Sequence, residues 1–155
     1  MSDSPVTVRV ATREDLPAVV RMLADDPLGA QREDFADPLP GAYGAAFDAM
    51  AAQGGNHLLV AELDGAVVGC LQLTLIPGIS HLGAIRAQIE GVRVDGRFRG
   101  HRIGEALLRD AIDRSRAAGA RMAQLTTDVS RADAKRFYER LGFVHSHAGM
   151  KLPLG

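Results

Sequence analysis

The chain has 155 residues, of which 46% are hydrophobic, and its 18 basic and 19 acidic residues give a formal net charge of −1. This length and apolar content suit a single globular domain over residues 1–155 and exclude a disordered chain. The charge balance excludes a protein whose whole surface binds nucleic acid, and the longest apolar runs are far shorter than a membrane span. The N-terminus lacks the basic-then-apolar pattern of a secretion signal, so we expect a cytoplasmic protein without a membrane or nucleic-acid partner.

The charges are distributed unevenly along the chain. Seven acidic and only two basic residues lie between Glu14 and Asp37, whereas four arginines and one acid, Asp95, lie between Arg93 and Arg102. Two opposed poles suit a protein that binds an anion at one place and a cation at another. Ordinary solvated surface is the alternative interpretation of the acidic stretch.

The chain is predicted to begin with a strand and a helix. Val6 to Val10 alternates apolar and polar residues, as a half-buried strand does. Thr12 followed by Asp15 predicts a helix cap. The apolar face of the helix that follows consists of Leu16, Val19, Val20 and Leu23.

A long loop and a hairpin are predicted next. Prolines and glycines break the segment from Asp25 to Gly41, and a weaker helix is predicted from Ala42 to Gln53. Two strands follow, from His57 to Leu63 and from Ala66 to Ile76. Asp64-Gly65 between them favours a two-residue turn with positive φ angles.

In the next predicted strand, from Ile85 to Val94, the alternation of apolar and polar residues shifts by one position. Its apolar residues occupy odd positions up to Ile89 and even positions from Val92. One extra residue would return both sets to the core, so we predict a β-bulge at Gly91-Val92.

The C-terminal third predicts two helices and two strands. Apolar residues recur at helical spacing from His101 to Ala118, which predicts a helix, and Met122 to Thr127 is predicted to be a strand. A short helix is expected from Arg131 to Leu141. Phe143 to Leu152 is expected to be extended, with a break near His147.

The turn between the phase-shifted strand and the long helix is predicted to bind an anion. It is rich in glycine and arginine, and the N–H groups and positive dipole end of a helix start favour negative charge. A Walker A loop is excluded because Arg97-Phe98 stands where lysine and then serine or threonine are required. A dinucleotide fingerprint is excluded because Gly96, Gly100 and Gly104 recur at every fourth position.

Two motifs carry a family resemblance. Arg99-Gly100-His101-Arg102-Ile103-Gly104 resembles the acetyl-CoA pyrophosphate loop of the GNAT superfamily of N-acetyltransferases, and the segment from Asp133 to Phe143 is similar to that family's second motif. The resemblance implies an α+β fold: a mostly antiparallel, twisted mixed sheet of six or seven strands with a bulged central strand, flanked by about four helices. Arg102 replaces the loop's middle glycine, which suggests a residue already in the first helical turn with ordinary backbone geometry.

The resemblance also implies a reaction and a set of site residues. An acceptor amine would attack the acetyl group of acetyl-CoA directly, with Glu90, acting directly or through an ordered water, as the base and Tyr138 as the acid. The residues expected to bind acetyl-CoA are Val92, Val94, Arg99, Gly100, His101, Arg102, Ile103, Gly104 and Ser130. The alternatives are a structural or substrate-orienting role for Glu90, a core aromatic role for Tyr138 and an N-cap role for Ser130.

Other charged residues are candidate contacts for the acceptor. The acidic stretch of residues 25–37 could attract a cationic amine, and His81 and Arg86 could orient an anionic group. The single cysteine, Cys70, is expected to be a buried structural thiol, and the histidine spacing predicts no metal site. The resemblance allows a homodimer. The rival function is a catalytically silent acyl-CoA-binding module that senses or regulates.

Overall fold

A five-stranded sheet forms the centre of the protein, which a computed structural model describes over residues 4–155. The strands are Thr7–Val10 (β1), Asn56–Leu63 (β2), Ala66–Ile76 (β3), Ile85–Val94 (β4) and Ala120–Leu125 (β5). The helices are Leu16–Ala24 (α1), Gly41–Gln53 (α2), the four-residue Ser80–Gly83 (α3), Ile103–Ala117 (α4) and Ala132–Arg140 (α5). No helix within the described residues is long and apolar enough to cross a membrane.

The strand order in the sheet is β1-β2-β3-β4-β5. The first four strands pair antiparallel, and β5 joins β4 in parallel. The mixed α+β fold is therefore confirmed, with five strands in the described residues instead of six or seven. The predicted extended segment of residues 143–152 forms no strand, and it leaves Val144 and Met150 largely exposed. Of its apolar residues only Phe143 packs against the core, so little burial is available to hold the segment on the sheet.

The sheet separates two apolar clusters. On one face α4 contributes Ile103, Leu107, Leu108 and Ala111 to the larger cluster, and α5 packs against it. On the other face α1 covers the smaller cluster, which consists of Ala11, Val19, Met22, Val60 and Cys70. Cys70 is a buried thiol, as predicted, and burial raises its pKa to about 12.

Two local predictions are confirmed by backbone geometry. The Thr12 N–H donates to the Asp15 carboxylate at 2.7 Å, which caps the turn that leads into α1. Asp64 and Gly65 have φ angles of 51° and 77°, as a two-residue hairpin turn requires.

The predicted bulge in β4 is present. Arg93 pairs with Cys70 and Glu90 pairs with Gln72, so two residues of β4, Gly91 and Val92, lie opposite one residue of β3. Gly91 has a φ of +62°, a conformation that glycine adopts at little cost. Side chains three positions apart on a regular strand point to opposite faces. The extra residue instead brings Glu90 and Arg93 to the same face.

Helix α4 approaches β3 closely at a glycine. A β-carbon added to Gly69 would lie 2.9 Å from side-chain atoms of both Ile103 and Leu107, and 3.2 Å from the Arg93 carbonyl oxygen. The missing side chain therefore sets the distance between the sheet and the first turns of α4.

We predict that Gly69→Ala lowers the free energy of unfolding by about 1–3 kcal/mol, because it overpacks the α4 interface. Gly41→Ala is the matched control, since nothing lies within 4 Å of the added carbon at this first residue of α2. Urea unfolding of both variants measures the difference. Equal stability of the two variants would show that α4 does not pack tightly on β3.

Candidate active site

The pairing of β5 with β4 ends before β4 does, and the space beside the open edge of β4 is called the cleft below. The parallel register between these strands runs only from Ile85 with Ala120 to Ile89 with Leu125. Beyond Ile89, β4 continues to pair with β3 through the bulge to Val94. Within the described residues, the backbone edge of residues 90–94 that faces away from β3 therefore has no strand partner. An extended ligand can pair with such an edge as an added strand does.

A tight loop carries the chain from this cleft into α4. Gly100 has a φ of +85°, and the His101 ring nitrogen Nδ1 lies 3.0 Å from the Phe98 carbonyl oxygen. Ile103 begins α4 and is almost completely buried, which fixes the helix start against the sheet. The first N–H groups of the 15-residue helix lie at this loop, beside the open edge of β4.

The expected ordinary geometry of Arg102 is wrong. Arg102 has φ and ψ angles of 56° and 27°, and it is the N-cap residue before α4 instead of a member of its first turn. The turn into α4 requires the left-handed conformation here, which a side chain adopts only with strain. The Arg102 guanidinium donates to Glu105 at 2.9 and 3.0 Å, so an ion pair already engages it.

We expect the free energy of unfolding of Arg102→Gly to be about 1 kcal/mol higher than that of Arg102→Ala. Both variants lose the ion pair with Glu105, but only glycine removes the strain of the positive φ. The difference between the two variants in urea unfolding therefore measures the backbone strain at residue 102. If alanine were at least as stable as glycine, residue 102 would not be strained.

An acid that sequence reasoning left without a role organises the loop. Asp95 is buried and accepts hydrogen bonds from the Arg97 N–H at 3.0 Å and the Arg97 side chain at 2.7 Å. Arg21 of α1 lies 3.3 Å from the same carboxylate. The hydrogen bonds from Arg97 lower the pKa of Asp95 from 3.8 to about 2, against the effect of burial. The sequence did hold one signal for this role, since Asp95 is the single acidic residue between Arg93 and Arg102.

Asp95→Asn is predicted to lower the free energy of unfolding at pH 7 by about 1.5–3 kcal/mol, because Arg97 and its N–H lose a charged acceptor. The folded-state pKa is depressed, so the carboxylate stabilises fully above pH 3.8 and loses this contribution as the pH falls towards 2.

The stability difference between wild type and Asp95→Asn should therefore be constant from neutral pH to about pH 5 and shrink below pH 4. Denaturant titrations across this range measure it. Asp113→Asn, at an exposed residue 3.5 Å from Arg116, is the control and should change stability little. A difference that stays constant to pH 2 would contradict the assigned role of Asp95.

Glu90 and Tyr138 approach the cleft from different elements. Glu90 is exposed on the β4 face that α1 covers. Tyr138 projects from α5, half-buried beside Phe137 and Phe143 at centroid distances of 5.3 and 6.0 Å. Burial raises the pKa of the Tyr138 hydroxyl above 10, and the charges of Arg93 and Arg131 oppose this increase. Tyr138 is therefore a neutral phenol at pH 7, able to donate a proton.

Helix α5 closes one side of the cleft. A β-carbon added to Gly104 would lie 3.3 Å from the Phe137 ring and 3.6 Å from Val94, so this glycine allows α4, α5 and β4 to meet closely. Further along α4 an open pocket of about 240 Å³ lies between α4 and α5, and two arginines, Arg109 and Arg140, contribute to its lining.

The structure places the three other candidates in different surroundings. Ser130 is not the N-cap of α5, which begins at Ala132 after Arg131. Its hydroxyl instead donates to Asp128 at 2.6 Å, because a tight turn precedes the helix. His81 lies in an exposed turn with a φ of 53°, and Arg86 is the second residue of β4. Both therefore lie at the end of β4 opposite to the open edge of residues 90–94 and are not brought together with Glu90.

The acidic and basic poles are in contact. Asp26, in the loop after α1, lies 2.8 Å from Arg131 and 3.4 Å from Arg93. Sequence reasoning placed Arg93 in the anion-binding segment, but the bulge turns its side chain to the opposite face of the sheet from α4. No local pattern links these three residues, since they come from distant parts of the chain.

Comparison with known proteins identifies the family. The family model described as "Acetyltransferase (GNAT) family" matches residues 20–143. A crystal structure described as a transcriptional regulator from Bacillus halodurans C-125 is 46% identical, with a TM-score of 0.94, over 97% of this chain and 100% of that one. The fold, the cleft and the loop before α4 define an acetyltransferase-type domain. The chain belongs to the GNAT family.

Two curated relatives match part of the chain. Aminoalkylphosphonate N-acetyltransferase of Salmonella typhimurium is 37% identical over 91 residues, which are 59% of this chain and 58% of the relative. Glucosamine 6-phosphate N-acetyltransferase of Trypanosoma brucei brucei is 33% identical over 90 residues, 58% of this chain and 59% of the relative. The chain thus spans less than two thirds of the length of these relatives.

Proposed function

We propose that the protein transfers an acetyl group from acetyl-CoA directly to the primary amine of a small molecule or a protein. The observation that carries this proposal is the unpaired edge of β4 at residues 90–94, which leads to the loop and first N–H groups of α4. An extended thioester arm with a diphosphate at its far end has this shape and charge pattern.

The names of the two curated relatives support an amine acceptor. Both are N-acetyltransferases, and both named substrates carry a phosphorus-containing anionic group as well as an amine. A small charged amine is therefore the class of acceptor that we test first.

The described residues fit acetyl-CoA. When bound, it supplies an activated acetyl group as a thioester. The backbone of Val92 and Val94 would pair with its arm, and the Val92 N–H would stabilise charge on the acetyl oxygen. The N–H groups of residues 100–104 would hold the diphosphate, assisted by Arg99, which makes none of the ion pairs that engage Arg97 and Arg102 in the described residues. Ser130 remains a candidate contact at the start of α5.

Glu90 would accept the proton of the acceptor. An alkyl ammonium with a pKa near 10.4 lies about three units above neutral pH, so presenting the free amine costs roughly 4–5 kcal/mol. An exposed carboxylate on β4, acting directly or through water, lowers this cost.

Tyr138 would donate to the departing thiolate. Its raised pKa keeps the phenol protonated at neutral pH, and a phenol donates readily to a thiolate whose conjugate acid has a pKa near 8.5. Glu90 and Tyr138 would then each handle one of the two proton transfers.

Tyr138→Phe is expected to reduce kcat by about 100-fold while the affinity for CoA stays within about twofold, since only the proton donor is lost. Tyr43→Phe is the matched control: this second tyrosine hydroxyl bonds Glu33 at 2.9 Å and should leave kcat unchanged. Thiol release over a panel of amines measures kcat, and calorimetry measures CoA binding.

The same experiment distinguishes an acetyltransferase from the rival function, a catalytically silent binding module. A silent acyl-CoA-binding module would bind CoA, with a thermal stabilisation of about 2.7 kcal/mol at 100 times its Kd, and acetylate no amine. The similar Bacillus halodurans protein is described as a transcriptional regulator, which favours testing this alternative directly. Binding without turnover would overturn the enzymatic proposal.

Location and assembly belong to the same proposal. We place the protein in the cytoplasm, where acetyl-CoA is available, with the acetyl donor and an amine acceptor as its partners. A homodimer is supported by the exposed apolar side chains of Val144, Met150, Leu152 and Leu154 near the C-terminus. Light scattering determines the oligomeric state.

A further inference from the structure

Two arginines, one of which directly follows the bulge in β4, converge on one carboxylate. Arg93 comes from β4 and Arg131 from the N-cap of α5, and both guanidinium groups lie within ion-pair distance of Asp26 Oδ2. The exposed fractions of the three side chains are only 16%, 28% and 18%. Partial burial weakens screening by solvent, so the charges in this group act strongly on whatever binds there.

The group is not neutral. Two cations face one anion, and the charge of Arg32 also acts on Arg93. The Arg93 Nε is buried, and it makes no hydrogen bond within the described residues although Asp26 lies 3.4 Å away. The Arg93 Nη1 donates to the Val92 carbonyl at 2.9 Å, so the guanidinium is only partly supplied with acceptors. Two guanidinium groups that share one carboxylate are incompletely neutralised, and a further anion would offset this cost.

The bulge sets the distance between this group and Glu90. The β3 partners of Glu90 and Arg93 are Gln72 and Cys70, which are two positions apart. The backbone positions of Glu90 and Arg93 are therefore about 7 Å apart, and both side chains are on the same face of the sheet. The charges of Arg93 and Arg131 both act on the Tyr138 hydroxyl, so this group also influences the proposed proton donor.

We infer that Arg93 and Arg131 bind an anionic group of the acceptor, so that the preferred substrates are small amines carrying a phosphonate, phosphate or carboxylate two or three carbon atoms from the nitrogen. This inference rests on the proposed function. Asp26 holds the two guanidinium groups together and leaves one net positive charge for the substrate. With the anion at the arginines, the ammonium end reaches Glu90, which removes its proton.

The test compares charged and uncharged amines of similar length. Acetyl transfer is measured for 2-aminoethylphosphonate and β-alanine against propylamine and ethanolamine. The variants are Arg93→Gln, Arg131→Gln and the control Arg136→Gln, an exposed α5 residue that pairs with Asp133. Arg131 is the more exposed of the two arginines, so its variant keeps the test usable if Arg93→Gln does not fold.

We expect wild type to prefer the anionic amines in kcat/KM by about tenfold or more, the value of one hydrogen bond between charged groups. Arg131→Gln should abolish this preference by raising KM for the anionic amines alone. The KM for propylamine and the Kd for CoA, measured by calorimetry, should stay within about twofold, and Arg136→Gln should behave as wild type.

Three results would overturn the inference. Equal use of charged and uncharged amines by wild type would do so while leaving the proposed function intact. A parallel loss of CoA affinity in Arg131→Gln would assign the arginines to the acetyl donor. Failure to acetylate any amine would defeat the proposed function, and this inference with it.

Discussion

The extra residue in β4 is the constraint on which the rest of the site depends. A regular strand would send either Ile89 or Val92 and Val94 away from the α4 core. With the bulge, both sets face α4, and Glu90 and Arg93 share the opposite face. Burial of apolar side chains thus stabilises a distorted strand, and the distortion places polar side chains and an unpaired backbone edge together at the end of the β4–β5 pairing.

Close packing then positions the loop before α4. The absence of a side chain at Gly69 lets Ile103 and Leu107 reach β3, and the absence of one at Gly104 lets Phe137 reach α4. The start of α4 is fixed by the core on one side and by α5 on the other. A helix N-terminus held this rigidly presents its N–H groups in one arrangement, which is what recognition of a diphosphate needs.

The net charge of −1 conceals a network of opposed charges in contact. Asp95 engages Arg97 and Arg21, Glu105 engages Arg102, and Asp26 joins Arg93 to Arg131. Much of the basic segment is therefore used to shape the loop, and part of the acidic stretch is neutralised by arginines from elsewhere in the chain. An excess of positive charge is left at Arg93 and Arg131, where we propose that the anionic group of the acceptor binds.

The periodic features were predictable, and the long-range contacts were not. The phase change between Ile89 and Val92 predicted the bulge, because burial selects the face that each side chain occupies. The φ of Arg102 could not be read from a side chain that also suits a helix start. Asp26 meets Arg93 and Arg131 only through tertiary packing, which leaves no local pattern. The segment after Phe143 looked extended, but it lacks the buried residues that hold a strand on the sheet.

The central claim is that acetyl-CoA binds along the free edge of β4 and at the start of α4. Amide hydrogen exchange, measured with and without saturating CoA, tests it without relying on the acceptor. We predict slower exchange in residues 91–95 and 100–105 and little change in β1. Bound CoA with no protection in either segment, or with protection confined to residues 25–37, would contradict the account.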